Sequence, residues 1–461
     1  GQIMALWNVR HRNSLSDVIF SIFLSAIVTL VLSTSSDTMT AAIVFSTVTS
    51  KSGAAASGGT ALRRLSTRIV TFPEDKWRLS ASNHASRILS LLSPGLTDAP
   101  KHVRRQLRQQ REKMEKMEGI RDELLPWTSF GLSLDPKNPV FNFLVEYYGF
   151  KGAKGPRRLA RWSPDPTLLL LEDDALADSG YQCEMKAIGT DLDGCEVGPE
   201  GAIFLEGATE ADLSDVLHMK GAMPIWFCDS DSDTNTSSGV LYSPAMFYKK
   251  YDIFEDKTKK IKAAAPFQWF QSILTSTLSS EPIFHCHGLH EWAMQYHPPG
   301  ADPPPSGKYQ SHLPLRVSRS TINSTVERKG IHCTHVDALR FFAPAAAPLN
   351  HHGSVIERTD QLRLEQKGCV HAHMDLLKMS IRLQPFVDAN LVADTLELAL
   401  DARLMDVEAS PYDVSTTYGL GVLPVETEEG RKEYRRRQRE LASAAEPVRR
   451  RLLGAYRDFL E

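Results

Sequence analysis

Histidine is concentrated in one part of this chain, and that distribution constrains the fold more than any other feature of the sequence. Eleven of the 15 histidines lie between residues 285 and 373. A proline-rich stretch at residues 297–307, HPPGADPPPSG, interrupts this segment. Proline lacks a backbone N–H donor, so the stretch cannot continue a helix or a central strand. Histidines that share a site must therefore come from separate pieces of chain that flank a loop.

The histidines form three short clusters. The first is HCHGLHEW at residues 285–292, the second is HCTHVDALR at residues 332–340, and the third is CVHAHMD at residues 369–375. Residues three or four apart share a helix face, whereas residues two apart share a strand face. The second cluster fits a helix, the first fits either geometry, and the third fits a strand or an irregular helix start. We predict seven metal ligands from these clusters: His285, His287, His290, His332, His335, His371 and His373.

These residue types suit a transition metal. The neutral imidazole nitrogen coordinates such ions without adding a charge, and Zn or Fe needs three or four ligands. We therefore predict a divalent transition metal, Zn or Fe, as the cofactor. Glu291 and Asp337 lie beside clustered histidines, and we predict that they act as acid/base groups or hold an imidazole in place. Four histidines in loop-like sequence are left out of the predicted ligand set: His297, His312, His351 and His352.

Other chemistry fits the same residues. His290, Glu291 and Asp337 could form a metal-free acid/base set, and Cys286 or Cys369 could act as a nucleophile beside a histidine. A non-catalytic metal-binding protein is a further alternative. The sequence contains no glycine-rich phosphate loop, nucleophile elbow or dinucleotide fingerprint. The leading hypothesis is a metal-dependent enzyme, either a hydrolase or a non-haem iron oxidoreductase, that acts on a small molecule.

The composition limits the classes of partner. The chain has 53 Lys and Arg against 56 Asp and Glu, with a formal net charge of -3. Nucleic acid is therefore unsupported as a partner, because no excess of positive charge attracts its phosphate backbone. Six cysteines without a C-x-x-C pair do not indicate a disulfide framework. Beyond the N-terminal region no apolar run reaches the roughly 20 residues that a membrane span needs, so we expect no membrane partner.

The N-terminal region has the composition of targeting sequence. Residues 1–33 contain a short basic stretch and then the apolar run VIFSIFLSAIVTLVL, which is typical of a signal peptide or an anchor. Residues 34–75 are rich in Ser, Thr, Ala and Gly and indicate a disordered, transit-like segment. Together they resemble the two-part presequence of algal plastid proteins. A secreted or endomembrane protein is the alternative.

The rest of the chain favours helices. Residues 76–135 are predicted to be a charged helical region, and residues 136–461 a histidine-rich catalytic domain with insertions near 229–239 and 297–307. Residues 390–405 have apolar side chains at helical spacing, and two further helices are predicted at the chain end, at 428–443 and 446–460. The predicted fold class is mainly α. Short apolar runs such as residues 202–205 fit strands or buried helix fragments, so α+β is the alternative.

Several stretches resemble a known family. In chain order they are FNFLVEYYGF with RLARWSP, FHCHGLHEWAMQY, HCTHVDALRFFAPAAAPLN, EQKGCVHAHMDLLK and ARLMDVEASPYD. Over roughly residues 139–455 they resemble a plant, algal and bacterial family that carries the label 3-methyladenine DNA glycosylase. The resemblance implies excision of alkylated bases as an alternative function. Such an enzyme needs an aromatic pocket and a nearby carboxylate, which Trp162, Trp292, Tyr296 and Glu291 or Asp337 could supply. No helix-hairpin-helix pattern is visible.

Overall fold

Helices build most of the described chain, which confirms the predicted mainly α class. The described residues all belong to one compact unit, Arg63–Glu461. The computed structural model describes residues 66–97, 133–171, 182–187, 201–218, 222–228, 236–243, 257–302, 310, 312–328 and 330–460. The predicted signal segment at residues 1–33 lies outside the described residues, as do residues 98–132 of the predicted charged helical region at 76–135.

The helices of the described residues are numbered in chain order. They are α1 Glu74–Leu92, α2 Asn142–Glu146, α3 Lys154–Ala160, α4 Glu210–Asp215, α5 Lys257–Ser279, α6 Leu289–Met294, α7 Arg319–Glu327, α8 Val336–Leu339, α9 Gln361–Leu364, α10 Val370–Leu383, α11 Ala389–Glu408, α12 Val414–Tyr418 and α13 Glu428–Leu460. Single 3-10 turns lie at Ser93–Gly95, Pro166–Leu170, Ala347–Leu349 and Arg358–Asp360. Within the described ranges, no helix combines the length and the apolar character that crossing a bilayer requires.

One mixed sheet lies beside the helices. Its strand order is β4-β1-β5-β7-β6. Strand β1 pairs antiparallel with β4 and parallel with the central strand β5, whereas β5, β7 and β6 pair antiparallel in turn. A separate antiparallel pair joins β2 to β3. The strands are β1 Ser66–Phe72, β2 Leu96–Thr97, β3 Ser133–Leu134, β4 Gln182–Ala187, β5 Ala202–Glu206, β6 Ala222–Cys228 and β7 Thr236–Tyr242.

The sheet corrects two predicted boundaries. β1 lies within residues 34–75, which were predicted to be disordered. The Ser and Thr content of that stretch masked the β-branched pair Ile69 and Val70, which is buried in the sheet. Residues 236–239 belong to β7, so the insertion predicted near residues 229–239 ends in a paired strand. The run at residues 202–205, which fitted a strand or a helix, is strand β5.

The main core is formed by α10, α11 and α13. The helix predicted at residues 390–405 is confirmed as α11, and most of its side chains are buried, because neighbours cover it on several sides. Polar contacts fix its position against α10: the hydroxyls of Ser380 and Thr395 lie 2.7 Å apart. Tyr456 of α13 donates a hydrogen bond of 2.9 Å to the carbonyl of Met379. Any side chain of α11 that is not apolar must therefore find its partners inside the protein.

The chain ends in one long helix instead of the two that were predicted. α13 continues through Pro447, which lies inside the helix. Proline removes one backbone hydrogen bond there, but the buried face on both sides of it packs against α5, α10 and α11 and keeps the helix continuous. Tyr434 and Tyr456 are fully buried on that face, one on each side of Pro447. The tertiary packing thus outweighs the local effect of the proline.

We predict that the packing of α11 contributes strongly to stability. Leu396 is fully buried in α11, so Leu396→Ala should lower the free energy of unfolding by about 2–5 kcal/mol through lost burial and the cavity it leaves. Urea denaturation followed by circular dichroism measures the change. Leu79→Ala is the matched control, because Leu79 is also helical but is 52% exposed. Equal effects of the two substitutions would contradict the central position of α11.

Candidate functional site

The first histidine cluster reaches the core through a sharp turn. His287 and Gly288 both have left-handed backbone conformations, with φ of 50° and 67°, and α6 begins directly after them. A Cβ atom on Gly288 would lie 3.3 Å from side chains of Ala409 and Tyr434, so the turn packs closely against α11 and α13. The turn buries the next residues, His290 and Glu291, almost completely. Because α6 begins only at Leu289, His287 lies outside the helix and does not share a helix face with His290.

A buried arginine joins the first cluster to α11. Arg403 Nη1 lies 2.7 Å from Glu291 Oε1 and 2.6 Å from Asp406 Oδ2. Its Nε donates to the carbonyl of Pro139 at 3.0 Å. Nε2 of His290 lies 3.0 Å from the same Asp406 Oδ2. We call these four side chains, His290, Glu291, Arg403 and Asp406, the inner cluster.

Each acidic residue of the inner cluster uses only one of its oxygens in these contacts. Glu291 Oε2, Asp406 Oδ1 and His290 Nδ1 are buried without a well-formed hydrogen bond in the described part of the protein. The thiol of Cys286 lies beside the His290 ring and helps to raise its pKa. Buried polar atoms are normally satisfied, because an unmade hydrogen bond costs about 1–3 kcal/mol. The inner cluster thus presents two oxygens and one nitrogen with spare coordination capacity.

Charge coupling within the inner cluster shifts the pKa values strongly. Burial opposes a charge on His290, but the carboxylate of Asp406 outweighs it and raises the pKa of His290 to about 10. Burial raises the pKa of Asp406, but His290 and Arg403 lower it to about 2. Without a further ligand, the inner cluster therefore holds two carboxylates, a guanidinium and an imidazolium, whose formal charges cancel.

His371 connects the inner cluster to the second histidine cluster. Its ring centroid lies 4.7 Å from that of His290, at an interplanar angle of 71°, and 5.2 Å from that of His335, at 22°. Burial and the charges of these two neighbours hold the pKa of His371 well below its usual value, so the ring is neutral. His371 keeps partial exposure to solvent, whereas His290 and His335 are 1% exposed. A small molecule can therefore approach this row of rings at His371.

His335 is held on both ring nitrogens. As the N-cap of α8, its Nδ1 accepts the backbone N–H of Asp337 at 3.2 Å. Its Nε2 faces Asp375 Oδ2 at 3.3 Å and Glu365 Oε2 at 3.5 Å. Burial opposes a charge on His335, but Asp375 outweighs it and raises the pKa of His335. We call His335, Glu365 and Asp375 the acidic cluster.

The carboxylate of Asp337 lies near the His335 ring but pairs with basic groups. It was predicted to act as an acid/base group or to hold that ring. Its backbone N–H donates to the ring, and one of its carboxylate oxygens lies within 4.8 Å of a ring nitrogen. Arg358 donates to both carboxylate oxygens, at 2.8 and 3.1 Å, and Lys378 lies 3.9 Å away. Burial raises the pKa of Asp337, but Arg358 outweighs it and lowers the pKa. Asp375 Oδ2 is closer to the ring, at 3.3 Å.

The remaining predicted ligands lie apart from the row formed by the rings of His290, His371 and His335. His285 and His332 lie 5.9 Å apart, and His332 stacks on His351 at 4.0 Å, although His351 was left out of the predicted set. His287 lies against Tyr434, with ring centroids 6.0 Å apart. Because α10 begins at Val370, His371 and His373 are two residues apart on a helix and face different sides. The sequence pattern did not show this separation.

Buried histidine and carboxylate side chains could hold a metal ion at two places among the described residues. In each group, the candidate ligand atoms lie within 4.8 Å of one another. One group is His290, Glu291 and Asp406, and the other is His335, Asp337 and Asp375. Each group contains one histidine and one carboxylate that the sequence predicted. These are His290 and Glu291 in the first group, and His335 and Asp337 in the second.

Sequence reasoning missed Arg403, Asp406 and Glu365. A signal was present for the first two, because Ala399, Leu400 and Val407 place Arg403 on an apolar face of the helix and Asp406 follows at i+3 on the same face. Charges at such positions are rare unless they are paired. Glu365 lies in the stretch before α10 and offered no such signal.

Comparison with known proteins found no matching family model, no curated relative and no similar solved structure. The resemblance to the glycosylase family therefore stays a prediction. A recess lies between the sheet and the segment that joins α10 to α11. It carries no basic or acidic side chain, so we assign the chemistry to the clusters. It is lined by Pro164, Pro166, Leu169, Ile203, Tyr242, Ser243, Pro385 and Phe386.

The charge on His290 predicts a loss of stability at alkaline pH. The pKa of His290 is about 10 in the folded, metal-free chain and 6.5 as its ordinary value. The folded state keeps this proton to higher pH than the unfolded state does. The resulting stabilisation of the fold is complete below pH 6.5 and is lost as pH rises through about 10. Urea unfolding in the presence of a chelator, from pH 6 to 10, should show this decline in the free energy of unfolding.

Asp406→Asn should flatten that pH dependence, because it removes the charge that raises the His290 pKa. Glu440→Gln is the matched control, since it removes the charge of an exposed partner of Arg436 and should leave the wild-type slope. An Asp406→Asn protein with the full wild-type decline would show that another group carries the effect.

Proposed function

We propose that the protein is a metal-dependent enzyme whose ion is bound by His290, Glu291, Asp406 and His371. The observation that supports this most directly is the set of buried atoms without hydrogen bonds: Glu291 Oε2, Asp406 Oδ1 and His290 Nδ1. Carboxylate oxygens and an imidazole nitrogen are the donors that Zn and Fe prefer. One divalent cation would satisfy all three atoms.

The spacing of two imidazoles also supports a shared ion. Imidazole nitrogens bind Zn at about 2.0–2.1 Å, which places two ring centroids on one ion roughly 4.5–5.2 Å apart for ligand angles between about 90° and the tetrahedral angle. His290 and His371 meet this requirement at 4.7 Å with strongly inclined planes. His335 and His371 are nearly parallel at 5.2 Å, so corresponding ring edges point in similar directions and do not converge.

His335 and Asp337 are better suited to supporting neighbouring residues than to binding the metal ion directly. Nδ1 of His335 already accepts a backbone N–H, which leaves its proton on Nε2, facing the carboxylates of Asp375 and Glu365. A neutral imidazole in this state has no lone pair left for a metal. Both oxygens of Asp337 are held by Arg358. We therefore narrow the predicted ligand set to the inner cluster and His371.

The residues around the proposed ligands determine how those ligands are oriented and how accessible a bound ion would be. Arg403 fixes Glu291 and Asp406 through one oxygen each and so orients the other oxygen. A bound divalent ion would supply Lewis acidity or, in the case of Fe, redox chemistry. Partial exposure of His371 leaves one side open, which favours an enzyme over a closed, purely structural metal site.

Elemental analysis tests the metal. The wild-type protein, expressed in metal-replete medium, should contain about one Zn or Fe per chain; Zn would favour a hydrolase and Fe an oxidoreductase. Asp406→Asn and His371→Gln should weaken metal affinity at least about tenfold, since each removes a ligand. His352→Gln is the matched control, because His352 lies in a loop outside both clusters, and His335→Gln should also retain the metal. Wild-type protein without stoichiometric metal would contradict the proposal.

A second candidate function is base excision, and one specific observation favours it. Tyr147 and Phe341 lie 5.7 Å apart on the surface, with the guanidinium of Arg340 4.7 Å from the Phe341 ring. Tyr147 is 47% exposed. Partial burial of its hydroxyl and the charge of Glu146 raise the pKa of Tyr147, and the charges of Arg403 and Glu291 act on it more weakly. An aromatic surface next to a carboxylate is what an enzyme needs to stack an extruded base.

Release of free 3-methyladenine from methylated DNA in the presence of EDTA tests this candidate. If the candidate is right, Tyr147→Ala and Glu291→Gln should each lower the rate at least about tenfold, because they remove the stacking surface and the carboxylate. Val422→Ala, which truncates another exposed side chain, should leave the rate unchanged. If wild-type protein releases no base above the buffer control, base excision is not its activity.

A further inference from the structure

A second buried polar centre lies on the opposite side of α10 from the inner cluster. Arg449 of α13 is 1% exposed and is among the largest fully buried side chains of the described residues. Both terminal nitrogens of its guanidinium are buried without a hydrogen bond from the described protein. Arginine stays protonated in proteins, so it cannot avoid the cost of burial by becoming neutral.

No carboxylate of the described residues pairs with this guanidinium. Glu365 and Glu446 act on Arg449 only through space, and burial dominates, so the pKa of Arg449 is lowered. Glu446 forms its ion pairs with Arg450 and Lys367, at the surface. Glu365 is directed toward Gln361 and His335, and burial raises its pKa.

His373 adds a second polar group next to Arg449. Its side chain is fully buried, and neither ring nitrogen has a well-formed hydrogen bond. The guanidinium of Arg449 and the carbonyl of Cys369 both lie close enough to act on this ring. An imidazole carries at least one N–H in either protonation state, so the ring offers a donor beside a guanidinium that offers several.

We propose that Arg449 and His373 form a buried binding site for a small oxyanion such as phosphate or a carboxylate. Both groups donate, and the nearest acidic side chains are committed to other partners. An uncompensated buried charge destabilises a protein by several kcal/mol, which an anion would relieve. Guanidinium is suited to this role because its N–H groups match the geometry of two oxyanion oxygens. The site depends on the fold and not on the proposed metal.

Thermal unfolding of the full chain in buffer free of phosphate, sulfate and carboxylate tests this site. Inorganic phosphate at millimolar concentration should raise the unfolding midpoint of the wild-type protein by about 2 °C or more. Acetate in a parallel titration distinguishes a carboxylate site from a phosphate site. Ion chromatography of the denatured protein identifies any anion that is retained through purification.

Arg449→Met should abolish the rise of the unfolding midpoint with anion concentration, because the substitution roughly keeps the length of the side chain and removes its charge. Arg450→Met is the matched control, since Arg450 is the next residue on α13 and pairs at the surface with Glu446. If Arg449→Met does not fold, Arg449→Lys should fold and show a weaker response. Metal content measured on the same samples should be unchanged, which separates this site from the proposed metal site.

Two results would overturn the oxyanion site. One is a wild-type midpoint that responds to neither anion, with no anion released on denaturation. The other is an equal response of the wild-type and Arg449→Met proteins, which would place phosphate or acetate elsewhere on the surface. Either result would leave ordered water as the partner of the guanidinium.

Discussion

The ion-pair network around Arg403 is the interaction on which the rest of the candidate site depends. One guanidinium nitrogen holds two carboxylates from different segments, Glu291 and Asp406, in a part of the protein that excludes solvent. Breaking one side of such a network leaves a buried charge without a partner, which costs about 3–5 kcal/mol. The same contacts fix α6 against α11 and orient the unused carboxylate oxygens. Stability and the arrangement of the proposed ligands therefore have a common origin.

Charge balance links the inner cluster to the acidic cluster. The carboxylates of Asp406 and Asp375 each raise the pKa of one histidine, and neutral His371 lies between these two rings. Two positive rings on either side of a third would repel each other without the carboxylates. Binding of a divalent ion would displace protons from this row, so metal affinity and proton affinity oppose each other here. Glu365 of the acidic cluster also acts electrostatically on Arg449 of α13.

The sequence predicted the helical class and α11, because these depend on local periodicity and composition. The role of the histidine segment stays a prediction. The sequence did not predict which histidines meet. Their convergence depends on the left-handed turn at His287 and Gly288, and on the start of α10 at Val370, which turns His371 and His373 to different sides. It also missed Arg403 and Asp406, since their partners lie more than 100 residues away in the chain. The single helix α13 could not be foreseen because long-range packing overrides Pro447.

The position of Arg403 and Asp406 on α11 has a consequence for how this protein can change over evolutionary time. Three residues apart on one helix, both lie within the main core, whose side chains interlock with α10 and α13. A loop-borne site can acquire new residues while its scaffold stays intact. Here a substitution that alters Arg403 or Asp406 also disturbs the interior, so exposed side chains such as Tyr147 can change more readily than these buried charges.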